Sequence, residues 1–281
     1  MSRGSCLCGD VSWTLSPPFV FMHHCHCSRC RKAHGTPFAT YVGGPADGFA
    51  LSGAERVVTF APQPGAQRSF CGRCGSVVPG PPVDGLMFVP AGNFADDPGD
   101  RPTDHIFVGS KAAWYEIADR LARHDAFPPG VDAIVLPDPP ALPPAAGITR
   151  GSCLCGTVAY AIEGTPLGAR NCHCGRCRRA HSAAHASNLF LAVEGLRFTR
   201  GEEALLSYKV PEADRFAQVF CRVCGSSMPR IVQSRSIAVV PMGSLDDAPP
   251  KTPECHIFVD SKAPWFEIAD DLPRYEEYPP D

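Results

Sequence analysis

The amino-acid sequence predicts a mainly β protein made of two tandem copies of one domain, each with short helices. Three observations support this prediction. The chain has 281 residues, which is more than one domain usually contains. Its cysteine-rich motifs occur twice in the same order. Between these motifs, short apolar runs alternate with Gly and Pro, which is typical of short strands joined by turns.

The duplication extends along almost the whole chain. Each motif of the first half recurs after 147 to 151 residues, which is too long a period for a solenoid repeat. A proline-rich run at residues 127–147 separates the copies and is expected to form an extended spacer. The sequence therefore predicts a first domain at residues 1–126, a linker at 127–147 and a second domain at 148–281.

Local patterns predict the elements of each copy. Alternating apolar and polar residues predict a strand over residues 11–15 and a matching strand over 158–162, each with one buried face. Two short helices are predicted, Ser28–His34 with Ser28 as its N-cap and Trp114–Leu121. Apolar runs bounded by Gly and Pro predict further strands at Ala54–Phe60, Leu86–Pro90 and Ile237–Pro241.

Charge and hydropathy exclude several classes of partner. The net charge is -3, so we expect the chain to bind neither nucleic acid nor an anionic membrane. No stretch approaches the roughly 18 apolar residues of a membrane span, and the N-terminal segment lacks the apolar core of a secretory signal. We therefore expect a soluble, cytoplasmic protein. In that reducing compartment, 15 closely spaced cysteines indicate metal ligation rather than disulfides.

All cysteines except Cys255 belong to groups that both copies share. Cys255 stands where the first copy has Asp104, so it is not expected to be a ligand of a duplicated site. The groups are C-x-C, C-x-C-x-x-C and C-x-x-C. In the first copy they are Cys6 and Cys8; Cys25, Cys27 and Cys30; and Cys71 and Cys74. In the second copy they are Cys153 and Cys155; Cys172, Cys174 and Cys177; and Cys221 and Cys224.

These spacings suit zinc. A tetrahedral Zn²⁺ ion binds thiolates at about 2.3 Å, and both C-x-C on a strand and C-x-x-C on a turn can direct two sulfurs to one ion. The seven cysteines of each copy divide into a group of four and a group of three. Four thiolates form a closed structural site, whereas three leave one position open, as in catalytic zinc sites. The contiguous C-x-C-x-x-C is the best candidate for the three. The sequence thus predicts about two zinc ions per domain and four per chain.

The alternative is that both ions of each copy are structural, with a histidine completing the three-cysteine site. His26 and His173 lie between ligands and are expected to point away from the metal on an extended segment. The remaining candidates near these groups are His23, His24, His34 and His181.

An open site with three thiolates favours particular chemistry. Its net charge of about -1 makes the zinc a weak Lewis acid, so a fourth soft ligand such as a substrate thiol suits it better than water. A thiolate formed there can attack a nearby electrophile. Cys30 lies near the start of the predicted helix, beside Arg29 and Arg31, which favours its ionised form.

The same residues resemble the glutathione-dependent formaldehyde-activating enzyme family, which includes the centromere protein V group. G-S-C-x-C-G, C-H-C-x-x-C-R, F-C-x-x-C-G-S and the tail H-I-F-V-x-S-K-A-x-W-x-E-I occur in order in both copies. The resemblance implies a β-tent fold in which small sheets are braced by zinc. It implies structural zinc sites at Cys6, Cys8, Cys71 and Cys74 and at Cys153, Cys155, Cys221 and Cys224. It implies catalytic sites at Cys25, Cys27 and Cys30 and at Cys172, Cys174 and Cys177.

The implied activity is that of a carbon–sulfur lyase resembling S-(hydroxymethyl)glutathione synthase, which adds glutathione or a similar thiol to formaldehyde or another small electrophile. The alternative is a non-enzymatic zinc-braced binding module of the centromere protein V type. The family's R-K-x-x-G-[ST]-P-F segment is present at residues 31–38 but reads R-R-A-H-S-A-A-H at residues 178–185. The second pocket is therefore expected to differ in shape, and the second domain to be less active or inactive.

Basic clusters adjoin both candidate catalytic sites, and two interpretations of them are open. They either hold the carboxylates of a glutathione-like substrate or form a solvated helix face. The clusters are Arg29, Arg31 and Lys32, and Arg176, Arg178 and Arg179. We also expect the two copies to form internally the pair that a single-domain relative would form by dimerising, so that the protein is a monomer.

Overall fold

Each copy of the repeat folds into small, mostly antiparallel sheets. The computed structural model describes residues 1–131, 133–140, 142–143, 145–214 and 216–280, and in this part of the chain the protein is mainly β, as predicted. The elements of the first copy are β1 Ser2–Ser5, β2 Ser12–Leu15, β3 Phe21–Cys25, α1 Ser28–His34, β4 Ala39–Pro45, β5 Phe49–Ser52, β6 Val57–Phe60, β7 Arg68–Cys71, β8 Val77–Val78, β9 Leu86–Pro90, β10 Asp104–Ile106 and β11 Ala122–Arg123.

The second copy repeats this order. Its elements are β12 Ile148–Ser152, β13 Ala159–Glu163, β14 Gly168–Cys172, α2 Gly175–His181, β15 Ala186–Ala192, β16 Leu196–Arg200, β17 Leu205–Lys209, β18 Ala217–Cys221, β19 Arg230–Val232, β20 Ile237–Pro241, β21 His256–Ile257 and β22 Arg274–Tyr275.

Three sheets form in each copy. In the first copy they are β1-β2-β5, β11-β10-β3-β4-β9 and β6-β7-β8, and in the second they are β12-β13-β16, β19-β20-β15-β14-β21-β22 and β17-β18. In the largest sheet of each copy, the strand at the start of the repeated tail runs parallel to the strand that ends at the first cysteine of C-x-C-x-x-C. The cysteine loop therefore leaves the sheet beside the tail segment.

The predicted strands are largely confirmed. Trp13 and Leu15 on β2 and Tyr160 and Ile162 on β13 are buried, so each strand has the expected apolar face. The predictions for β9 and β20 match at every residue. The predicted strand Ala54–Phe60 is partly wrong. Residues 54–56 form a 3₁₀ turn after the left-handed Gly53, and the strand starts only afterwards.

One helix prediction is confirmed and one is wrong. Helix α1 spans Ser28–His34 as predicted, but its N-cap is Cys27, whose sulfur accepts a hydrogen bond from the backbone N–H of Cys30 at 3.3 Å. Residues 114–121 do not form a helix. Side chains satisfy their carbonyl groups instead: Lys111 Nζ donates to the Tyr115 carbonyl and Arg123 Nη2 to the Ile117 carbonyl.

The two copies pack against each other through reciprocal contacts. His34 Nδ1 donates to the backbone carbonyl of His181 at 2.7 Å, and His181 Nδ1 donates to that of His34 at 2.6 Å. Phe70 and Phe220 meet edge to face with ring centroids 6.3 Å apart. One core cluster contains side chains of both copies. The copies are therefore related by an approximate two-fold axis.

Candidate metal centres and their surroundings

The structure brings the first C-x-C and C-x-x-C groups together. The Sγ atoms of Cys6, Cys8, Cys71 and Cys74 all lie within 4.8 Å of one another, with 3.4 Å between Cys6 and Cys8 and 3.7 Å between Cys8 and Cys71. The second copy forms the same cluster, with sulfurs separated by 3.4 and 3.8 Å in the two corresponding pairs. Its members are Cys153, Cys155, Cys221 and Cys224.

Tight turns present these sulfurs on one side of the backbone. After C-x-x-C, Gly75 adopts φ +76°, a left-handed conformation that glycine adopts without a steric penalty. The turn is closed by hydrogen bonds from Gly75 N to the Cys71 carbonyl and from Cys71 N to the Ser76 carbonyl, both 2.9 Å. Leu7 N, between the cysteines of C-x-C, donates to Ser76 Oγ at 3.0 Å. This bond fixes one pair of cysteines relative to the other.

The C-x-C-x-x-C groups form separate clusters of three. In the first copy, Cys25 ends β3, Cys27 caps α1 and Cys30 lies in its first turn, and their Sγ atoms lie within 4.8 Å of one another. The second copy has the same arrangement around the start of α2, where Cys174 Sγ accepts from Cys177 N at 3.4 Å. The members of this cluster are Cys172, Cys174 and Cys177.

Both kinds of cluster fit zinc. Four sulfurs about 2.3 Å from a tetrahedral ion are roughly 3.8 Å apart, close to the separations in the four-cysteine clusters. All 15 cysteines are unbridged, so their sulfurs are available as ligands. Among the described residues, no histidine or carboxylate joins any of the four clusters. The larger clusters therefore offer a complete ligand set, and the smaller ones offer three ligands.

In the first three-cysteine cluster, one sulfur is favoured as the anion. Hydrogen bonds from Cys25 and Cys27 lower the pKa of Cys30 well below its ordinary value, and the guanidinium of Arg68 lowers it further. Arg68 Nη2 donates to Cys30 Sγ at 3.3 Å. In the second cluster, hydrogen bonds from Cys172 and Cys177 instead lower the pKa of Cys174. The sulfur favoured as the anion therefore differs between the copies: Cys30 in the first and Cys174 in the second.

The histidine inside each C-H-C segment points away from the sulfurs, as expected, and it begins a chain of polar contacts. His26 Nε2 lies 2.8 Å from His105 Nδ1, and His105 Nε2 lies 2.9 Å from a carboxylate oxygen of Asp119. Because the carboxylate accepts from His105, His105 Nδ1 must accept from His26 when both rings are neutral. Burial lowers the pKa of His26 to about 3, which keeps its ring neutral.

The second copy repeats this chain of contacts. His173 Nε2 lies 2.8 Å from His256 Nδ1, and His256 Nε2 lies 3.0 Å from Asp270. The sequence reasoning missed these partners. The sequence contains a pattern that indicates these contacts, because the tail of each copy starts with a histidine and has an aspartate 14 residues later. These contacts fix the orientation of the loop that carries the cysteines.

The other candidate histidines do not join the clusters. His24 Nδ1 pairs with Thr40 Oγ1 at 2.8 Å, and His23 stacks on Phe21 with 4.5 Å between ring centroids. His34 and His181 hold the interface between the copies. Their contacts are structural in this arrangement, so none of these histidines joins the three-cysteine clusters as a further potential ligand.

Two basic residues of α1, Arg29 and Lys32, bind groups of the chain itself. Lys32 Nζ forms an ion pair with Asp246 of the second copy at 2.6 Å and donates to the Ser152 carbonyl at 2.9 Å. Arg29 donates to the carbonyl groups of Leu136 and Pro137 in the linker. Arg29 and Lys32 therefore have partners within the chain, and carboxylate binding by the basic clusters stays a prediction.

The segment that departs from the family pattern lies at the interface between the copies. A β-carbon at Gly92 would collide with the backbone of Ala183, and one at Gly243 would collide with that of Thr36. His185 lines a small cavity between the copies, together with residues of both tails. The altered sequence at residues 182–185 thus reshapes the interface rather than the surroundings of Cys177.

Cys255 is buried outside the metal clusters. Its backbone carbonyl accepts from Asn171 N at 3.0 Å, and its side chain packs in the apolar cluster around Cys172 and Cys177. Within the described part of the chain its sulfur does not join any group of potential ligands. This placement agrees with the expectation that Cys255 is not a ligand.

Comparisons with known proteins identify one family. The model of the glutathione-dependent formaldehyde-activating enzyme family matches residues 1–110 and 148–261. A crystal structure of a Rhodobacter sphaeroides protein, a structural genomics target, is 28% identical over 37% of this chain and 97% of its own, with a TM-score of 0.31. No curated protein matches the chain. None of the described helices is long and apolar enough to cross a membrane.

The two regions matched by the family model contain all four cysteine clusters and cover well over half of the chain. They are consistent with a tandem duplication of one domain. The chain belongs to the glutathione-dependent formaldehyde-activating enzyme family.

Proposed function

We propose that the chain is a zinc-dependent carbon–sulfur lyase resembling S-(hydroxymethyl)glutathione synthase. The observation that carries this proposal is the pairing of a four-cysteine cluster with a three-cysteine cluster in each copy. The first type is complete and braces the fold, whereas the second leaves one ligand position for a substrate. Family membership supports glutathione and formaldehyde as the substrate pair. A reducing compartment such as the cytoplasm would keep the cysteines available as ligands.

The residues present fit a zinc ion at the three-cysteine clusters. Cys25, Cys27 and Cys30 would hold it in the first copy, and Cys172, Cys174 and Cys177 in the second. Zinc bound by three thiolates supplies a position that favours a fourth soft ligand and lowers the pKa of a thiol bound there.

The surrounding residues would hold and shield the reacting groups. The backbone N–H groups at the start of α1 and α2 donate to the sulfurs of Cys27 and Cys174 and so fix the orientation of these two side chains. Phe107 and Phe127 pack edge to face beside the first cluster, with ring centroids 4.8 Å apart. This apolar cover limits access of water to the sulfurs.

The proposed reaction is an addition without redox change. The substrate sulfur forms a bond to the aldehyde carbon while the π electron pair of the carbonyl moves to oxygen. The oxygen takes up the proton that the thiol released, so atoms and electrons balance. In the direction of cleavage, the carbon–sulfur bond breaks and the aldehyde forms again.

The proposal is tested by measuring the rate of adduct formation from glutathione and formaldehyde against the spontaneous rate. We expect the wild-type chain to exceed the spontaneous rate and Cys30→Ala with Cys177→Ala in one chain to abolish the excess. Cys255→Ala is the matched control, because it removes a buried cysteine outside the clusters. A wild-type rate equal to the spontaneous rate in a folded, zinc-loaded protein would contradict the proposal and favour a non-enzymatic, zinc-braced module.

A further inference from the structure

An arginine of a neighbouring sheet reaches the first three-cysteine cluster. Arg68 begins β7, the strand that ends at Cys71, the first cysteine of C-x-x-C. Its Nη2 donates to Cys30 Sγ at 3.3 Å, and its Nη1 donates to the Gln67 carbonyl at 2.7 Å. Because the guanidinium is planar and rigid, the two bonds together fix its position beside the sulfur.

The charge of Arg68 has no carboxylate partner. Within the described part of the chain, the hydrogen bonds of its side chain go to a sulfur and a carbonyl oxygen, and it forms no ion pair with an acidic residue. Its Nε is buried without a hydrogen-bond partner there. A cation that leaves water needs a counter-charge nearby. The sulfur of Cys30, when ionised, supplies this counter-charge at hydrogen-bond distance.

The second copy has a neutral residue at the same strand position. Gln218, like Arg68, lies three residues before C-x-x-C. Its Nε2 donates to Ser227 Oγ at 2.7 Å, so this bond serves the turn after C-x-x-C rather than a sulfur. Arg230 of β19 lines the small cavity beside Cys177. The copies therefore place an arginine near their clusters from different strands, and the fold accommodates glutamine at the position of Arg68.

A centre with three thiolates benefits from a nearby positive charge. Zinc held by three thiolates has a net charge of about -1, and a thiolate as the fourth ligand would change this charge to about -2. Such a charge is costly in a partly buried site unless a cation lies close to it. A guanidinium suits this position because it is always charged and has no lone pair with which to bind the metal itself.

We propose that Arg68 is a positioning residue of the first open centre, where its hydrogen bond to Cys30 compensates the negative charge of an anionic fourth ligand. The inference rests on the proposed function and deepens it, because it assigns a role to a residue outside the cysteine motifs. In this role Arg68 acts through Cys30 rather than on the substrate. Groups that bond to metal ligands typically change metal affinity by about 10- to 100-fold.

Two small probes separate charge compensation from a purely structural role. Cobalt(II) in place of zinc reports its fourth ligand through visible absorption. The cobalt-loaded full chain is titrated with 2-mercaptoethanol, which binds as an anion, and separately with imidazole, which binds as a neutral ligand. We expect Arg68→Gln to weaken binding of 2-mercaptoethanol at one of the two open centres about tenfold or more and to leave imidazole binding nearly unchanged.

Two further variants make the titration specific. Arg68→Lys retains the charge and should restore much of the binding that Arg68→Gln loses. Arg56→Gln removes an equal charge from an exposed position of the same copy and should leave binding of both probes unchanged. The second open centre is unaltered in all variants and serves as the internal reference. Melting temperatures equal to that of the wild type would show that the fold persists.

Competition with a zinc chelator gives a second measurement that does not depend on turnover. We expect Arg68→Gln to lose one zinc ion per chain at a chelator concentration about tenfold or more below that needed for the wild type. The other zinc ions should be released as in the wild type, because their clusters do not contact Arg68.

The possible results distinguish the inference from the proposed function. Equal titrations of Arg68→Gln and the wild type with 2-mercaptoethanol would overturn the inference, even if the chain forms the glutathione adduct. Equal weakening of both probes would overturn it as well, and so would a wild-type chain that binds neither probe. Selective loss of anion binding in a chain without lyase activity would support the role of Arg68 and contradict the proposed reaction.

Discussion

Buried neutral histidines are the main residue-scale feature that links the cysteine loops to the interface. His24, His26 and His185 are almost fully buried. Burial lowers the pKa of His26 and His185 to about 3 and that of His24 well below its ordinary value. A histidine that stays neutral in the folded state but takes up a proton when unfolded makes stability depend on pH.

The first prediction concerns His185, whose place in the first copy is taken by Phe38. The unfolded chain binds a proton at this residue below a pH of about 6.5, whereas the folded chain does so only near 3. Titration of this residue should therefore leave the free energy of unfolding unchanged above pH 6.5. Below pH 6.5 the free energy of unfolding should fall as the pH decreases. His185→Phe should reduce this fall by up to about 1.4 kcal/mol per pH unit.

Urea unfolding at pH 7.5, 6.5, 5.5 and 4.5 measures this effect as the difference between wild type and variant. Protonation of the cysteine ligands affects both chains alike, so it cancels in the difference. A difference in the free energy of unfolding that stays constant across these pH values would contradict the account of His185.

The cysteine clusters could be predicted from sequence, but their arginine neighbours could not. Short spacings such as C-x-x-C determine which sulfurs can converge, because a turn of fixed length joins them. Arg68 and Arg230 reach equivalent sites from strands on opposite sides of the C-x-x-C turn, so the repeat alignment conceals their relation. Only the folded sheets bring each arginine to its cluster.

At the scale of elements, the short helices and glycine turns hold the copies together. The C-cap residues of α1 and α2 are Gly35 and Ser182, and both adopt the left-handed conformation. The chain after each helix contacts a 3₁₀ turn of the other copy, where Gly92 and Gly243 allow close backbone approach.

The second prediction tests this approach. Gly92→Ala should destabilise the protein by about 1–3 kcal/mol, because its β-carbon would collide with the backbone of Ala183. Gly109→Ala is the control, since the nearest atom to a β-carbon there is 3.6 Å away. The free energy of unfolding from urea titration is the measurement. Equal destabilisation by both substitutions would show that the contact at Gly92 is not critical.

The element that sequence reasoning predicted wrongly shows a limit of local pattern. The apolar spacing of residues 114–121 resembles a helix, and a short helix must satisfy its carbonyl groups through N–H groups four residues later. Lys111 and Arg123 donate to these carbonyl groups from outside the segment. Lys262 and Arg274 do the same in the second copy. Such side-chain donors cannot be recognised from periodicity.

At the scale of the whole molecule, the duplication builds a two-fold arrangement from one chain. The reciprocal histidine bonds, the Phe70–Phe220 contact and the Lys32–Asp246 ion pair all join the first copy to the second. The surface that each copy would otherwise expose for pairing is already covered within the chain.

The third prediction is that the protein is a monomer in solution. Light scattering coupled to size-exclusion chromatography should give a mass near 30.1 kDa, that of a single chain. A stable species of twice this mass at micromolar concentration would contradict this prediction. It would show that pairing of the two copies within one chain is not the complete assembly.

The central claim is that each copy has two metal centres, one closed and one open. The most direct measurement is the zinc content per chain of the purified, reduced protein, determined by elemental analysis together with protein concentration. The account predicts about four zinc ions per chain, two from the four-cysteine clusters and two from the three-cysteine clusters. A content of two or fewer in a fully folded protein would contradict it.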